Sequence, residues 1–266
     1  MNWFTQTFSD TSIIWLLIFT IVSLISGFAS SWLTYRFIKR RELLDTQILE
    51  GEKQKRERIR HEIIRWSNPI LSSVQSLQSQ LSNILEKGGY LAMSKDYKKQ
   101  INPNWSISYE YFMSSLPFLF SQYFAWIRML QDELNFELFE TQNEKDTFFR
   151  AIHNVTRSLS SFPPSSNYNC KGKDTQVFSL QQRAMGELLI IREGEHKRCM
   201  SYPEFLERMN NKEFQQHFQP LIILLDKIHP DDDCRWKRLE ATAAALRDLE
   251  KVCKELLNFQ NQPPNK

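Results

Sequence analysis

Residues 11–35 read TSIIWLLIFTIVSLISGFASSWLTY, and no charged residue interrupts the chain between Asp10 and Arg36. Because a helix rises about 1.5 Å per residue, this stretch exceeds the roughly 30 Å hydrocarbon core of a bilayer. Its polar residues are scattered serines and threonines that form no stripe, whereas a long soluble helix keeps a polar face. The sequence therefore predicts one transmembrane helix over residues 12–35.

Aromatic and basic residues flank this predicted span in the manner of membrane-interface anchors. Trp15 lies near one end, and the other end carries Trp32, Tyr35, Arg36, Lys39, Arg40 and Arg41. The positive-inside rule then places residues 1–11 outside as a short extracytoplasmic N-terminus and the C-terminal bulk in the cytoplasm. The N-terminal segment lacks the basic residues of a cleaved signal peptide, which disfavours that alternative.

The composition fits a helical protein, with only 7 glycines among 266 residues and a charged fraction of 24%. The formal net charge of +3 gives no reason to expect a nucleic-acid partner. The four cysteines, Cys170, Cys199, Cys234 and Cys253, all follow the predicted span. On a cytoplasmic face we expect them to be free thiols.

Residues 36–62 are densely charged with both signs mixed, which predicts a juxtamembrane linker helix. A rough helical stripe is formed by Leu44, Ile48, Lys55, Ile59 and Ile63. Two interpretations stay open: a solvated spacer with ion pairs along its length, or a signalling helix that continues the membrane span as a short coiled coil. The basic residues nearest the span can also contact anionic lipid.

The helical spacing of apolar residues predicts a cytoplasmic all-α bundle over residues 63–260. A disordered tail is predicted over residues 261–266. Apolar residues spaced four and three apart predict helices over 63–87 and 108–140, with a kink or restart at Pro69, a kink at Pro117 and an end at Gly88–Gly89. Thr141 with Glu144, and Ser201 with Glu204, predict two capping boxes. Further helices are predicted over about 178–193 and 211–229 and from Asp231 onward, and no alternating strand pattern is found.

The predicted helix over 178–193 separates polar and apolar residues least cleanly. Gly186 lacks a side chain in mid-helix, which permits close approach of another element. We expect a buried polar cluster, with Arg183 and Glu187 at least partly buried and hydrogen-bonded, formed by Arg65, Asn68, Gln182, Arg183 and Glu187. A structural polar cross-link is the simpler interpretation, and a ligand site on the same groups is the alternative.

Other motifs give no catalytic residue, cofactor or metal site. His196 and Cys199 have a spacing that zinc could use, yet no Cys-x-x-Cys pair completes a zinc tetrad. His61 with the later Pro69 lacks the spacing and the following motifs of a histidine kinase. The consecutive acids Asp231, Asp232 and Asp233 suit a helix start better than a calcium loop.

Three stretches together resemble a group of uncharacterised bacterial proteins that is frequent in actinobacteria and cyanobacteria. They are RWSNPILSSVQSLQSQLSNIL at 65–85, YFAWIRMLQDELNF at 123–136 and QQRAMGELLI at 181–190. The resemblance spans roughly residues 60–257 and implies a bacterial protein, hence the plasma membrane. It carries no activity, so no functional residue follows from it.

Two functions from different classes fit these features. The first is a membrane-tethered cytoplasmic interaction or signalling module with a protein partner or a second copy of itself. The second is a helical small-molecule-binding or enzymatic domain with its site between helices. A cavity lined by convergent polar groups would favour the second.

Overall fold

A computed structural model of the chain describes residues 3–95, 109–133, 139, 141–161, 176–194, 196–231 and 233–259. Part of the side chains within residues 3–63 lies outside this description. The described chain is mostly helical, as predicted, and includes one short β-hairpin. It divides into two compact units, residues 1–58 and 59–266.

The first helix, α1, runs from Trp3 to Glu86 without a break. It continues through Pro69, so the predicted restart there does not occur. Gly88 then takes a left-handed backbone with φ of 78°, a conformation that glycine adopts readily, and a short 3-10 turn follows at Gly89–Met93. The predicted end at Gly88–Gly89 is confirmed.

The first unit contains the part of α1 that carries the predicted membrane span and the predicted linker as far as residue 58. Every residue from 32 to 55 is exposed. Among the residues whose side chains are described, no helical segment is both long and apolar enough to cross a bilayer. Residues 11–14, 16–17, 24–26 and 28–31, within the predicted span, lie outside that set.

The second unit has its core between the end of α1 and the helices that follow it. The predicted apolar stripe of α1 is buried at Ile70, Val74, Leu77, Leu81 and Ile84. Helix α2, Tyr109–Glu133, buries residues around most of its circumference, including Leu116, Phe120, Tyr123, Ile127 and Leu130. The four-three spacing therefore predicted both buried faces, and α2 continues through Pro117.

Helix α3 spans Gln142–Ser160 and packs against α8, Asp233–Phe259. The Thr141 hydroxyl accepts the backbone N–H of Glu144 at 3.2 Å, so the N-terminus of α3 is capped as predicted. Residues 162–175, including the predicted loop and Cys170, lie outside the described residues, as does the tail 261–266.

Helix α4 is shorter than predicted and spans Ser179–Leu188. The prediction of helix to residue 193 is wrong, because the chain turns at Leu189 into strand β1, Ile190–Glu193. Strand β1 pairs antiparallel with β2, His196–Cys199. Gly194 has a φ of 64° at the turn, where a side chain would be strained.

The segment predicted as one helix over 211–229 forms two, because Pro220 has no backbone N–H to continue a helix and suits a first turn. Helix α6 spans Lys212–Gln216, and α7 spans Gln219–Leu225 with Pro220 in its first turn. Before them, α5 covers Tyr202–Arg208, and the predicted capping box of Ser201 with Glu204 is confirmed. Its inward side chain, Phe205, is fully buried.

Candidate functional site

Helix α4 packs against α2 at very short range, because Gly186 has no side chain. A Cβ built on Gly186 would lie 2.7 Å from the backbone carbon of Phe124 and 3.0 Å from the nitrogen of Ala125. Any side chain here would collide with backbone, which cannot rotate away. The predicted close approach at Gly186 is confirmed, and its partner is the middle of α2.

This close approach decides which side chains of α4 reach the interior. Gln182, one turn before Gly186, is 3% exposed, and Met185 is fully buried. Arg183 and Glu187 lie at the edge of the contact, with side chains 53% and 47% exposed. Gln182 is therefore buried, whereas Arg183 and Glu187 are about half exposed and hydrogen-bonded to each other.

Glu187 joins two arginines from different helices. Its Oε1 accepts a hydrogen bond from Nε of Arg183 and another from Nε of Arg128, each at 2.9 Å. The hydrogen bond from Arg183 and the positive charge of Arg128 lower the pKa of the Glu187 carboxyl. Arg128 on α2, which the sequence did not single out, thus takes the place predicted for Arg65 or Asn68.

Arg65 reaches this cluster only indirectly, through a row of ion pairs. Arg65 lies 3.5 Å from Glu133, and Lys197 lies 3.8 Å from both Glu133 and Asp132. Asp132 in turn forms an ion pair with Arg128, whose Nη2 lies 2.9 Å from Oδ1 of Asp132. Asn68 is exposed.

Gln182 links α4 to α3 through the amide of its side chain. Its Nε2 donates to the carbonyl oxygens of Thr156 at 3.0 Å and Val177 at 2.7 Å. Its Oε1 is buried and has no hydrogen-bond partner among the described residues. Because both amide hydrogens are in use, the side chain cannot turn this oxygen outward without breaking a hydrogen bond.

A cavity of about 280 Å³ opens between α2, α3 and α4, and we call it the α2–α4 cavity. Its lining includes Tyr123, Arg128, Gln182 and Arg183. Tyr123 is 1% exposed, and its hydroxyl has no hydrogen-bond partner among the described residues. Burial raises the pKa of the Tyr123 phenol, so the hydroxyl stays protonated at neutral pH.

A second, more open groove of about 740 Å³ lies along the other side of α2. Gln75, Ser79 and Asn83 of α1 form one wall, and Tyr111 of α2 lies opposite. Its lining mixes amides, hydroxyls and aromatic rings and includes one cation, Lys87, among the described residues. Most of its lining residues carry polar side chains.

The His196 and Cys199 pair cannot bind one metal ion, because both lie on strand β2. His196 pairs with Glu193 and Cys199 with Ile190, at opposite ends of the hairpin. Side chains three apart on a strand point to opposite faces. Within the described residues, no three His, Cys, Asp or Glu side chains cluster as a metal site.

For a cytoplasmic domain the sequence predicted that all four cysteines are free thiols, and this prediction is wrong for one of them. Cys234 is disulfide-bonded. Cys199 and Cys253 are free, and burial raises the pKa of each thiol to about 12. Cys170, the remaining cysteine, lies outside the described residues.

The predicted membrane-interface anchors are exposed side chains on α1. Trp15, Trp32 and Tyr35 are 63%, 58% and 61% exposed. The Arg36 guanidinium lies 4.6 Å from the centre of the Trp32 ring, and the Lys39 ammonium lies 5.6 Å from that of Tyr35. Each basic side chain therefore packs against an aromatic ring one turn earlier. Arg40 and Arg41 are exposed as well.

Comparison with known proteins adds no relative to this description. No protein-family model, curated protein or solved structure matches the chain. The resemblance to uncharacterised bacterial proteins stays a prediction.

Proposed function

We propose that the chain is a membrane-tethered helical module, with residues 12–35 as the membrane anchor and residues 59–259 as the working domain. The observation that carries this proposal is the charge-free apolar run between Asp10 and Arg36, which coincides with helical backbone in α1. The aromatic and basic pairs at its C-terminal end suit a membrane–water interface. The anchor then holds the domain next to the membrane surface.

The proposed activity is interaction with a protein partner or a second copy of the chain. Beyond the apolar run, α1 keeps large apolar side chains in water over residues 36–58. Leu44 and Ile48 are 55% and 59% exposed and lie four residues apart on one face. A second helix laid on this face would cover them, as in a short coiled coil.

Self-association can be tested on the full chain carrying two different tags and co-purified from a mild detergent. We expect Leu44→Glu with Ile48→Glu to reduce recovery of the second tag. The matched control is Ile38→Glu with Leu49→Glu, which adds the same charge to side chains that are 61% and 65% exposed on another face. Equal recovery for wild type and both variants would count against association through this face.

Two orientations of the domain have support, and they make opposite predictions. Arg36, Lys39, Arg40 and Arg41 favour a cytoplasmic domain, which is the orientation we propose. The disulfide at Cys234 favours the opposite orientation, because disulfides persist in oxidising compartments. The second candidate is therefore an extracytoplasmic domain on the same anchor.

Reporter fusions after Lys266 distinguish the two orientations in bacterial cells. A cytoplasmic domain gives an inactive alkaline phosphatase and a bright fluorescent protein, and an active phosphatase would establish the second candidate. Changing Arg36, Lys39, Arg40 and Arg41 to Glu should disturb the orientation. Changing Lys53, Lys55, Arg56 and Arg58 to Glu, with equal charge further from the span, is the control. Release of the full chain by alkaline carbonate would exclude the anchor itself.

A further inference from the structure

The outer face of α1 within the second unit is polar but carries no charge. Residues 66–85 include no Asp, Glu, Lys or Arg, although these four types make up 24% of the chain. All exposed residues of this stretch are serine, glutamine or asparagine. A helix face that meets only water usually includes charged residues, so this composition suits contact with an uncharged polar molecule.

This face forms one wall of the open groove of about 740 Å³ beside α2, which we call the α1–α2 groove. Its α1 residues extend from Gln75 to Lys87, a distance of about 18 Å along the helix. The lining on the other side includes Tyr111 and Leu119 of α2 and Tyr202 of α5. The volume of the groove lies within the roughly 300–1,000 Å³ usual for ligand sites.

The polar side chains of the α1 wall are accessible to a ligand. Ser76 and Ser79 are exposed, and Gln80 and Asn83 are partly exposed. None of these four side chains has a hydrogen-bond partner among the described residues. An amide carries donors and an acceptor side by side, and a hydroxyl can donate and accept. This wall therefore pairs best with ligand groups that also donate and accept.

Two further lining residues are held in place by hydrogen bonds. Gln75 donates from Nε2 to Oε1 of Glu250 at 3.0 Å, and its own amide oxygen remains as an acceptor. The Tyr202 hydroxyl lies 2.9 Å from Oγ of Ser114. The Tyr202 ring packs against Phe118, with ring centres 5.2 Å apart. Side chains that are already fixed lose less conformational entropy when a ligand binds.

The charge of the groove limits the class of ligand. No carboxylate lines it among the described residues, so a cationic ligand finds no opposite charge. Lys87 is the single cation of the lining within the described part of the chain, whereas nucleic acid needs several. The rings of Tyr111 and Tyr202 add flat apolar area beside the amides and hydroxyls. A neutral ligand with apolar faces and hydroxylated edges matches these features together.

We propose that the α1–α2 groove binds a neutral oligosaccharide. Hydroxyl groups of the sugar exchange hydrogen bonds with Ser79, Gln80 and Asn83 on α1. The C–H faces of the sugar rings pack against Tyr111 and Tyr202. This site depends neither on the membrane anchor nor on self-association, so it goes beyond the proposed function and is tested separately from it.

The probes are the neutral tetrasaccharides chitotetraose, cellotetraose and maltotetraose. Titration calorimetry on the full chain should show saturable binding of at least one of them. The detergent must have no sugar head group, because a maltoside would compete for the groove. Raising NaCl from about 0.1 to 0.5 M should change the affinity less than about twofold, since a neutral ligand forms no screened charge pair. Absence of binding by all three probes, or an affinity loss of about tenfold in high salt, would overturn the proposal.

A neutral peptide is the competing class of ligand. A Gly-Ser peptide with blocked termini offers donors and acceptors but has no apolar ring faces. It should bind at least about tenfold more weakly than the tightest tetrasaccharide. Equal or tighter binding of the peptide would overturn the proposal.

Two substitutions test the assigned contacts. Gln80→Met keeps the length of the side chain and removes its amide, which should weaken the tightest-binding probe by about threefold to tenfold. Tyr111→Ala removes a ring that is 41% exposed and should weaken the same probe by about tenfold. The matched controls are Gln216→Met on α6 and Phe37→Ala on α1, both at exposed positions, and both should bind as wild type.

The melting temperature separates a lost contact from a disturbed fold. Gln80→Met should leave it unchanged, because the Gln80 amide has no hydrogen bond among the described residues to lose. This variant therefore tests the site even if Tyr111→Ala disturbs the packing of α2. Unchanged affinity in Gln80→Met and Tyr111→Ala would overturn the proposal, because the sugar would then bind elsewhere. Weaker binding by Gln80→Met at an unchanged melting temperature, with wild-type affinity in both controls, would establish the site.

Discussion

At the scale of single residues, Gly186 has the sharpest structural requirement in the domain. A Cβ there would lie 2.7 Å and 2.8 Å from the carbonyl carbon and oxygen of Phe124. Gly186→Ala should therefore destabilise the second unit by about 1–3 kcal/mol, although alanine favours helix. Denaturant unfolding followed by circular dichroism of the full chain measures this change.

Gly51 provides the matched control, because it lies within α1 and a Cβ there meets no atom within 4 Å. Gly51→Ala should slow amide exchange of the surrounding turns, since alanine stabilises an open helix by about 1 kcal/mol over glycine. Destabilisation by both substitutions would mean that the close packing of α4 on α2 is not the cause.

Arg238 is a buried charged residue that no pattern in the sequence singled out. It is 3% exposed, and its Nη1 donates to the carbonyl oxygens of Ser158, Leu159 and Ser161 at 2.8–3.0 Å. These carbonyls end α3, where the helix dipole also favours a cation. Burial lowers the pKa of Arg238 to about 10, so the side chain is still charged at neutral pH.

Arg238→Met keeps the apolar length of the side chain and removes the cap. We expect a loss on the order of 3 kcal/mol, because the carbonyls at the end of α3 lose their donors. Thermal unfolding of the full chain measures the effect. Arg247→Met, an exposed arginine on the same helix, is the control and should change the melting temperature little.

Glu187 should contribute little to the free energy of unfolding. A Glu187 side chain inside a buried polar cluster would have contributed more. Its side chain is 47% exposed, and exposed ion pairs contribute about 1 kcal/mol or less. Glu187→Ala should lower the free energy of unfolding by no more than that amount in urea, and the effect should shrink in high salt. A cost above about 3 kcal/mol would show that the arginine pair is more buried in solution.

At the scale of elements, the hairpin and α5 are joined through Glu204. Its carboxylate accepts hydrogen bonds from the backbone N–H and the hydroxyl of Ser201, and it pairs with both terminal nitrogens of Arg198. Arg198 also donates to Glu193 across the hairpin at 2.8 Å. These hydrogen bonds hold the pKa of Glu204 well below its ordinary value.

The lowered pKa of Glu204 predicts how the stability of the fold around α5 changes with pH. A carboxyl whose pKa is lower in the folded protein stabilises it above the ordinary value near 4.5, and this contribution is lost as the pH falls below that value. The protection factors of the α5 amides, which correct for the slower intrinsic exchange in acid, should fall at low pH for the wild type. Glu204→Ala should already show fast exchange at pH 7 and little further acid dependence, and Glu204→Gln should be intermediate because an amide can still cap.

The helices that the sequence predicted well are those in which burial and periodicity agree. The stripes on α1 and α2, the Thr141 cap of α3 and the capping box of Ser201 with Glu204 were readable from spacing alone. The hairpin was not, because each strand has four residues and Ile190–Glu193 also continues the helical pattern of α4. Only the pairing with His196–Cys199 decides between helix and strand there, and that pairing is a tertiary contact.

The candidate site was predictable in its location but not in its chemistry. Gly186 marked the place of close approach, and Gln182 was among the residues selected. Arg128 and Tyr123 were missed as site residues, since both follow the regular pattern of α2. Whether the Tyr123 hydroxyl has a hydrogen-bond partner, and which carboxylates pair with Arg128, depends on how α2, α3 and α4 pack together.

At the scale of the whole molecule, the thiols report which compartment the domain occupies. Cys234 is disulfide-bonded, and Cys199 and Cys253 are free. When the full chain is unfolded in urea with an alkylating reagent and no reductant, two thiols should be modified, and after reduction four. Four free thiols without reductant would show that the disulfide is absent in cells and would support the cytoplasmic orientation.

The native protein should react slowly with thiol reagents in either compartment. Burial raises the pKa of Cys199 and Cys253 to about 12, so their nucleophilic thiolates are scarce at neutral pH. Alkylation at pH 8 should therefore need unfolding first.

The cap on α3 also has a consequence for the order of events during synthesis. Arg238 follows the carbonyls that it caps by 77 to 80 residues. At about 5–20 residues per second, a ribosome adds that length in roughly 4–16 s. Throughout that interval α3 has neither its cap nor α8 to cover its apolar face. The nascent chain thus presents a helix with an open end for several seconds, and a chaperone has that time to bind it before the domain can close.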